Sequence, residues 1–210
     1  MQKFKAIGFD WSGVVFFHTM NYRDDGSKFL NISKEEFSVA YFKHNHLSNI
    51  ANTSSGEFWR KVFSEFGRES EAANFVKLLE SAPAGKMNEE ILPLIKLLKE
   101  RGYKIGLLSN NTSVGAKEAR SLGVDELFDV ALFSAEIGLM KPDPEVFKYI
   151  ANKLDVDITE MIFIDDAKKS LERAEEAGYQ PILYTDMQSL RTQLEKLGTI
   201  THDEINNVTN

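Results

Sequence analysis

Phe4-Lys5-Ala6-Ile7-Gly8-Phe9-Asp10-Trp11-Ser12-Gly13-Val14-Val15 is the stretch on which the reading of this chain turns. It spells a short apolar strand that ends on a carboxylate. Phe4, Ala6, Ile7 and Phe9 supply apolar area before Asp10, and Val14 and Val15 supply more after it. An acid in such a run is costly to bury unpaired. In an open parallel α/β sheet, ligands gather beyond the carboxyl ends of the strands, so a strand-terminal aspartate is well placed for chemistry. Taken alone, Asp10 reads equally well as a cap on the turn before Gly13. Stretches further along decide between the two.

Working outward, 210 residues suffice for one sizeable core, or for a core with a small accessory unit. The balance of 42% hydrophobic and 27% charged residues is that of an ordinary globular protein. A formal charge of -7 argues against a protein that coats nucleic acid or an anionic membrane. It leaves room for a small anionic ligand, which needs only local positive charge. Cysteine is absent, which excludes disulfides, thiolate metal sites and thiol catalysis. No secretion signal and no apolar run of membrane-spanning length is seen, so the expectation is a soluble, cytoplasmic protein.

From Phe16 to Lys86 no strand is evident. Ser33-Lys34-Glu35-Glu36 is a helix start, with a capping Ser and a Glu three residues on. A second helix opens at Ser55, with Phe58, Val62, Phe63 and Phe66 at helical spacing, and a third covers residues 71–79. Their aromatics read as a small helical core, and Ala82-Pro83-Ala84-Gly85 as a hinge. From Glu89 helix and strand alternate. Strands are expected at 104–108, 130–133, 161–164 and 181–184, and helices at 91–102, up to Gly123, and at 144–154, 168–177 and 190–197. Such alternation implies right-handed parallel crossovers and a doubly wound sheet. The tail from Thr201 is polar and Asn-rich, and is expected to fray.

Four groups follow strands or sit in loops that can share one rim: Asp10, Ser109, Lys141 and the pair Asp165-Asp166. Each has a plain alternative, as a helix cap, a solvated lysine or a charge at a helix start. Order and spacing argue otherwise. Phe9-Asp10-Trp11-Ser12-Gly13-Val14-Val15, Leu107-Leu108-Ser109-Asn110, Lys141-Pro142-Asp143-Pro144-Glu145-Val146-Phe147 and Phe163-Ile164-Asp165-Asp166 occur in sequence. With these four stretches the chain resembles the haloacid dehalogenase (HAD) superfamily of hydrolases over residues 4–197. A helical insert after the first strand resembles the small cap of its epoxide-hydrolase-like and phosphoglucomutase-like branch.

That resemblance implies an α/β fold, with a Rossmann-like parallel-sheet core (residues 1–15 and 86–200), an inserted α-helical cap (16–85) and a polar tail (201–210). It implies Asp10 as a nucleophile that takes a phosphoryl group from a small phosphorylated metabolite. It implies Mg²⁺ held by Asp10, the backbone carbonyl of Ser12 and Asp166, with Asp165 binding directly or through water. A hard cation with oxygen ligands suits such a site. Ser109, with Asn110, would bind phosphate oxygens at the start of the next helix, and Lys141 would balance charge on Asp10 and the phosphoryl group. A cap on hinges near 15–19 and 82–85 would open and close over the site.

One position departs from the pattern. The superfamily's phosphatases usually carry a second Asp two residues after the nucleophile, as general acid and base, and here that position is Ser12. A missing general acid costs on the order of 10²–10⁴ in rate. Three readings stay open: a phosphohydrolase that favours good leaving groups, another HAD chemistry such as dehalogenation or phosphonate cleavage, and a phosphate- or Mg²⁺-binding regulatory protein. The acidic pair speaks against a metal-free dehalogenase. Lys28, Lys34, Lys43 and Lys61 carry no Schiff-base motif. His44 and His46 read as surface or cap residues rather than a zinc site. Phe16, Phe17 and His18 lead toward the insert, either lining an entrance or packing a hinge.

Overall fold

The computed structural model describes residues 3–51 and 53–202. Its strands are β1 (Ala6–Phe9), β2 (Phe16–Phe17), β3 (Lys86–Met87), β4 (Lys104–Ser109), β5 (Val130–Phe133), β6 (Met161–Asp165) and β7 (Gln180–Leu183). Five of them form one parallel sheet in the order β5-β4-β1-β6-β7. The first strand is therefore central, and all four of its residues are buried. The chain builds outward on one side through β4 and β5, then returns to the other side through β6 and β7. The C-terminal end of β1 lies at that reversal, where open α/β sheets place their ligand crevice.

Period-two alternation sends side chains to opposite faces of the sheet. Ile7, Phe9, Ile105, Leu107, Ile162 and Ile164 join one core cluster, and Ala6, Leu108, Met161 and Phe163 the other. Gly8 belongs to the second face, where a Cβ would fall 2.5 Å from the Phe163 ring, so the glycine lets that ring lie across β1.

Helices cover both faces. In chain order they are α1 (Tyr22–Leu30), α2 (Lys34–Asn49), α3 (Ser55–Ser64), α4 (Ala72–Glu80), α5 (Ile91–Glu100), α6 (Ser113–Ser121), α7 (Val124–Leu127), α8 (Ser134–Ile137), α9 (Pro144–Lys153), α10 (Ala174–Ala177) and α11 (Met187–Lys196). Apolar stripes of α5, α6 and α11 cover the first face, and those of α9 and α10 the second. The α/β class and the parallel sheet expected from the alternating pattern are what the chain forms.

Along the chain, helices α1 to α4 come between β2 and β3, and they carry their own core, which includes Phe37, Phe58, Trp59, Phe63 and Phe75. Ser33 closes the expected capping box with Glu36 at the start of α2, and Ser54 caps α3.

Three details differ from the sequence reading. Residues 16–86 are not free of strand, because β2 pairs antiparallel with β3, Phe16 opposite Met87. Two residues per strand are too few for any periodicity to register. Helix α1 had no apolar signature, since its sequence Tyr22-Arg23-Asp24-Asp25-Gly26-Ser27-Lys28-Phe29-Leu30 is mostly polar, but Asn21 caps it by accepting from the N–H groups of Arg23 and Asp24. The expected helix over 168–177 is instead a 3₁₀ turn (Lys168–Leu171) followed by α10. With only Leu171, Ala174 and Ala177 to bury, that segment has little apolar area to anchor a continuous helix. Of the tail read as frayed, residues 203–210 lie outside the described residues.

Candidate active site

Two neighbouring strand ends deliver the acids. Asp10 follows β1, and its N–H donates to the Ile164 carbonyl at 2.8 Å. Its carboxylate accepts from the Trp11 N–H at 2.7 Å and from Lys141 Nζ at 2.8 Å. Asp165 ends β6 and is fully buried. One of its oxygens accepts from Lys141 Nζ at 2.5 Å and the other from the Ala167 N–H at 2.8 Å. Asp166 follows and points to the more exposed side, against the turn after Asp10. Gly13 in that turn has φ +83°, and a Cβ there would lie 2.4 Å from the Asp166 carboxylate. Only glycine meets both demands. Asp10, Asp165 and Asp166 each offer an oxygen, all within 4.8 Å of one another.

Lys141 is buried at the centre of this group, 3% exposed. Its backbone is tied to the end of β4 by Asn110, whose side chain accepts from the Lys141 N–H and donates to the Lys141 carbonyl, both at 2.8 Å. The Asn110 amide is thus engaged in holding the lysine. Ser109 is the last residue of β4, buried, and the register Phe9 opposite Leu107 sets it two residues further along, beside the turn that follows Asp10. Thr112 then caps α6 by accepting from the Gly115 N–H.

Electrostatics follow from this crowding. Burial, and after it the Asp165 carboxylate, pushes Asp10 up to about 7 against the pull of Lys141. Asp166 is raised for the same two reasons, with Lys141 and Arg23 pulling the other way. Burial lowers the Lys141 ammonium, but Asp10 and Asp165 more than compensate, and the net direction is up. Three carboxylates share one ammonium, so the full set of charges is not balanced by the protein itself. An all-oxygen cluster with excess negative charge fits a hard divalent cation.

The sequence-predicted residues Asp10, Ser12, Ser109, Asn110, Lys141, Asp165 and Asp166 all lie at this end of the sheet. His44 and His46 do not join them. Both sit on α2, where His44 Nε2 contacts Glu65 Oε1 at 2.8 Å. A contact the sequence did not disclose involves Ser12, whose hydroxyl lies 3.0 Å from His18 Nε2. The His18 ring packs edge-on to Phe16, with centroids 4.9 Å apart, and near Tyr22. Desolvation among these groups lowers its pKa, against the pull of Glu118. Ser12 lies before β2 and His18 just after it, and six residues of separation gave no hint that they meet.

The chain belongs to the haloacid dehalogenase-like hydrolases, whose family model matches residues 4–185. It is 32% identical over 131 residues to phosphatase MT3486 of Mycobacterium tuberculosis, covering 60% of this chain and 59% of that protein. It is 26% identical over 123 residues to bifunctional epoxide hydrolase 2 of Rattus norvegicus, covering 56% of this chain but 22% of that protein. The chain thus spans less than two thirds of either relative. Its fold is similar to that of a HAD family enzyme from Bacteroides thetaiotaomicron, with a TM-score of 0.65, 21% identity and coverage of 90% and 98% of the two chains. That enzyme has also been crystallised with magnesium and inorganic phosphate. Among the described residues, no helix is long and apolar enough to cross a membrane.

Proposed function

We propose that this hydrolase cleaves small phosphomonoesters with the help of Mg²⁺, through a phosphoryl group carried on Asp10. The observation that carries the reading is the Asp10–Lys141–Asp165 bridge, with Asp166 beside it, at the reversal point of the sheet. Asp10, Asp166 and the Ser12 carbonyl are the ligands proposed for the cation, with Asp165 held by Lys141 and Ala167 behind them. When bound, Mg²⁺ neutralises the carboxylates and the phosphoryl oxygens.

The Asp10 carboxylate forms a bond to phosphorus as the bond to the ester oxygen breaks, and the leaving oxygen takes up a proton. Water then attacks the acyl phosphate, releasing inorganic phosphate and restoring Asp10. Lys141 stabilises the charge on Asp10 and the phosphoryl group. Ser109 donates to a phosphoryl oxygen, while Asn110 keeps Lys141 in place. Helices α1 to α4 act as a cap that closes over the rim. The contact of Phe42 on α2 with Lys169, just after Asp166, supports this.

No carboxylic acid stands at position 12. The Ser12 hydroxyl, paired with His18, is too weak an acid to protonate a poor leaving group. Aryl and acyl phosphates are therefore the better substrates, and equal rates across leaving groups of differing pKa would count against this. Ser12 also keeps a second reading open, that of a phosphate-binding regulatory protein. The decisive assay measures phosphate release from phenyl phosphate, with and without Mg²⁺. The native chain should release phosphate only with metal. Asp10→Asn should lose at least about 10³-fold, and Ser12→Asp should gain on the order of 10²-fold. No release by the native chain, with a gain in Ser12→Asp, would favour the regulatory reading.

A further inference from the structure

We propose that the crevice between the helical insert and the turn after Asp166 is a second anion subsite, so that the preferred substrate is a phosphomonoester bearing another anionic group, a carboxylate or a second phosphate. The inference rests on the phosphohydrolase reading and narrows its substrate class. The crevice has a volume of about 140 Å³ and is lined by Phe42 and Asn45 from α2, by Asn110 and Lys141 from the site, and by Lys169 and Ser170. At about 30 Å³ per water, it holds the equivalent of four or five waters, enough for a carboxylate or phosphate group. Because Lys141 and Asn110 belong to both places, one small molecule can span them.

Its charge is lopsided. Lys169 Nζ lies 4.4 Å from the centre of the Phe42 ring, and the Arg23 guanidinium lies 5.4 Å from the same centre. Neither has a carboxylate at ion-pair distance among the described residues, unlike Lys28, Lys34, Lys43 and Arg68 on the insert. Arg23 exerts a pull on the Asp166 carboxyl, which is assigned above to the cation. The side chains of Asn45 and Ser170 are likewise free of hydrogen bonds to other described residues. Several other exposed cations pair with carboxylates or stand singly over a ring of their own; Arg23 and Lys169 do neither. These two are held on one aromatic ring; Lys169 and that ring line a cavity with unspent hydrogen-bonding groups, and Arg23 stands on the same ring. A cation–π contact orients an ammonium or guanidinium without neutralising it, so both charges stay available to an anion. Phosphate and carboxylate are the groups for which an Arg–Lys pair is suited.

The competing explanation is that the two cations are only structural, Lys169 latching α2 to the turn after β6 and Arg23 packing α1 on α2. Calorimetric titration separates the two on the Asp10→Asn protein in saturating Mg²⁺, where esters persist. The probes are phenyl phosphate, 4-carboxyphenyl phosphate and 1,4-phenylene bisphosphate. At least one of the two doubly anionic esters should bind about tenfold or more tighter than phenyl phosphate. Lys169→Gln and Arg23→Gln should each pull that ratio toward parity. Equal binding of all three esters overturns the proposal. So does a preference that survives both substitutions, or a uniform weakening of all three, the mark of a latch. Turnover by the native chain is read separately. A preference that depends on Arg23 and Lys169, in a protein that hydrolyses none of the esters, sinks the phosphohydrolase reading and leaves the subsite standing.

Discussion

The two hydrophobic cores of this molecule solve different problems. That of the sheet is a layered set of mostly aliphatic side chains on a hydrogen-bonded lattice of strands, and it carries buried charge at one end: Asp10, Lys141 and Asp165. That of the insert has five aromatics among its nine buried apolar residues, and its buried polar residues, Ser27 and Asn49, are neutral. Large rings give much buried area from few residues, which a four-helix unit of this size needs. Strand register, by contrast, fixes where a side chain stands, which a cluster of buried charges needs. The lattice holds the acidic cluster and its lysine, and the aromatic cluster holds α1 to α4 together.

The chain's two tryptophans fall one in each region, Trp11 at the end of β1 and Trp59 in α3. That makes the comparison breakable. Trp59 is 4% exposed, with the Phe58 and Phe75 rings at 4.7 and 4.8 Å. Trp59→Ala should cost about 4 kcal/mol, and the loss should fall on the insert. Trp11 fluorescence, the one tryptophan signal left, should show a sheet that melts near its original temperature, while helix content falls earlier. A single shared transition, shifted as a whole, would mean that the two cores fold as one unit.

The sheet has a matching weak point. Lys141→Met removes the ammonium between Asp10 and Asp165 and leaves two buried carboxylates facing each other. Breaking a buried pair in this way costs about 3 kcal/mol, somewhat less than the loss of Trp59. Denaturant melts in the presence of a chelator should show it through Trp11, with the insert's helix signal following passively. Phosphate release should vanish as well. A variant with native stability would mean that the acids are neutralised by protonation and that Lys141 contributes little to holding the strand ends together.

How far the sequence was legible divides along the same line. Apolar strands of four to six residues, each ended by a polar group, announce β1, β4 and β6, and the order of their terminal residues announces Asp10, Ser109 and Asp165. Lys141 was legible only because the stretch around it is distinctive. Nothing in its position says that it is buried between two carboxylates, or that Asn110 holds it by both backbone groups. In the insert, caps and helical spacing announced α2 and α3, but α1 is polar enough to pass as a loop. The pairing of Ser12 with His18, and of Arg23 and Lys169 with Phe42, depends on how α1 and α2 settle against the sheet. Such contacts between separate elements have no local periodicity to reveal them.

The smallest expected effect concerns acid. On the insert, hydrogen bonds from Ser33 hold Glu36 below its usual 4.5, Lys43 and His44 do the same for Glu65, and Arg68 does so for Glu71. A carboxyl whose pKa is lower in the folded chain than in the unfolded one binds fewer protons when folded. Its stabilising contribution is therefore complete above about pH 4.5 and is lost as pH falls through the depressed folded values. All three pairs lie at the surface, where solvent and salt weaken them, so the shift in stability is modest. In Trp11→Phe, where Trp59 alone reports, the insert's melting temperature should fall between pH 5 and pH 3, and added salt should shrink that fall. A melting temperature flat across this interval would leave the aromatic cluster as the whole of the insert's stability, with its surface hydrogen bonds and ion pairs contributing nothing measurable.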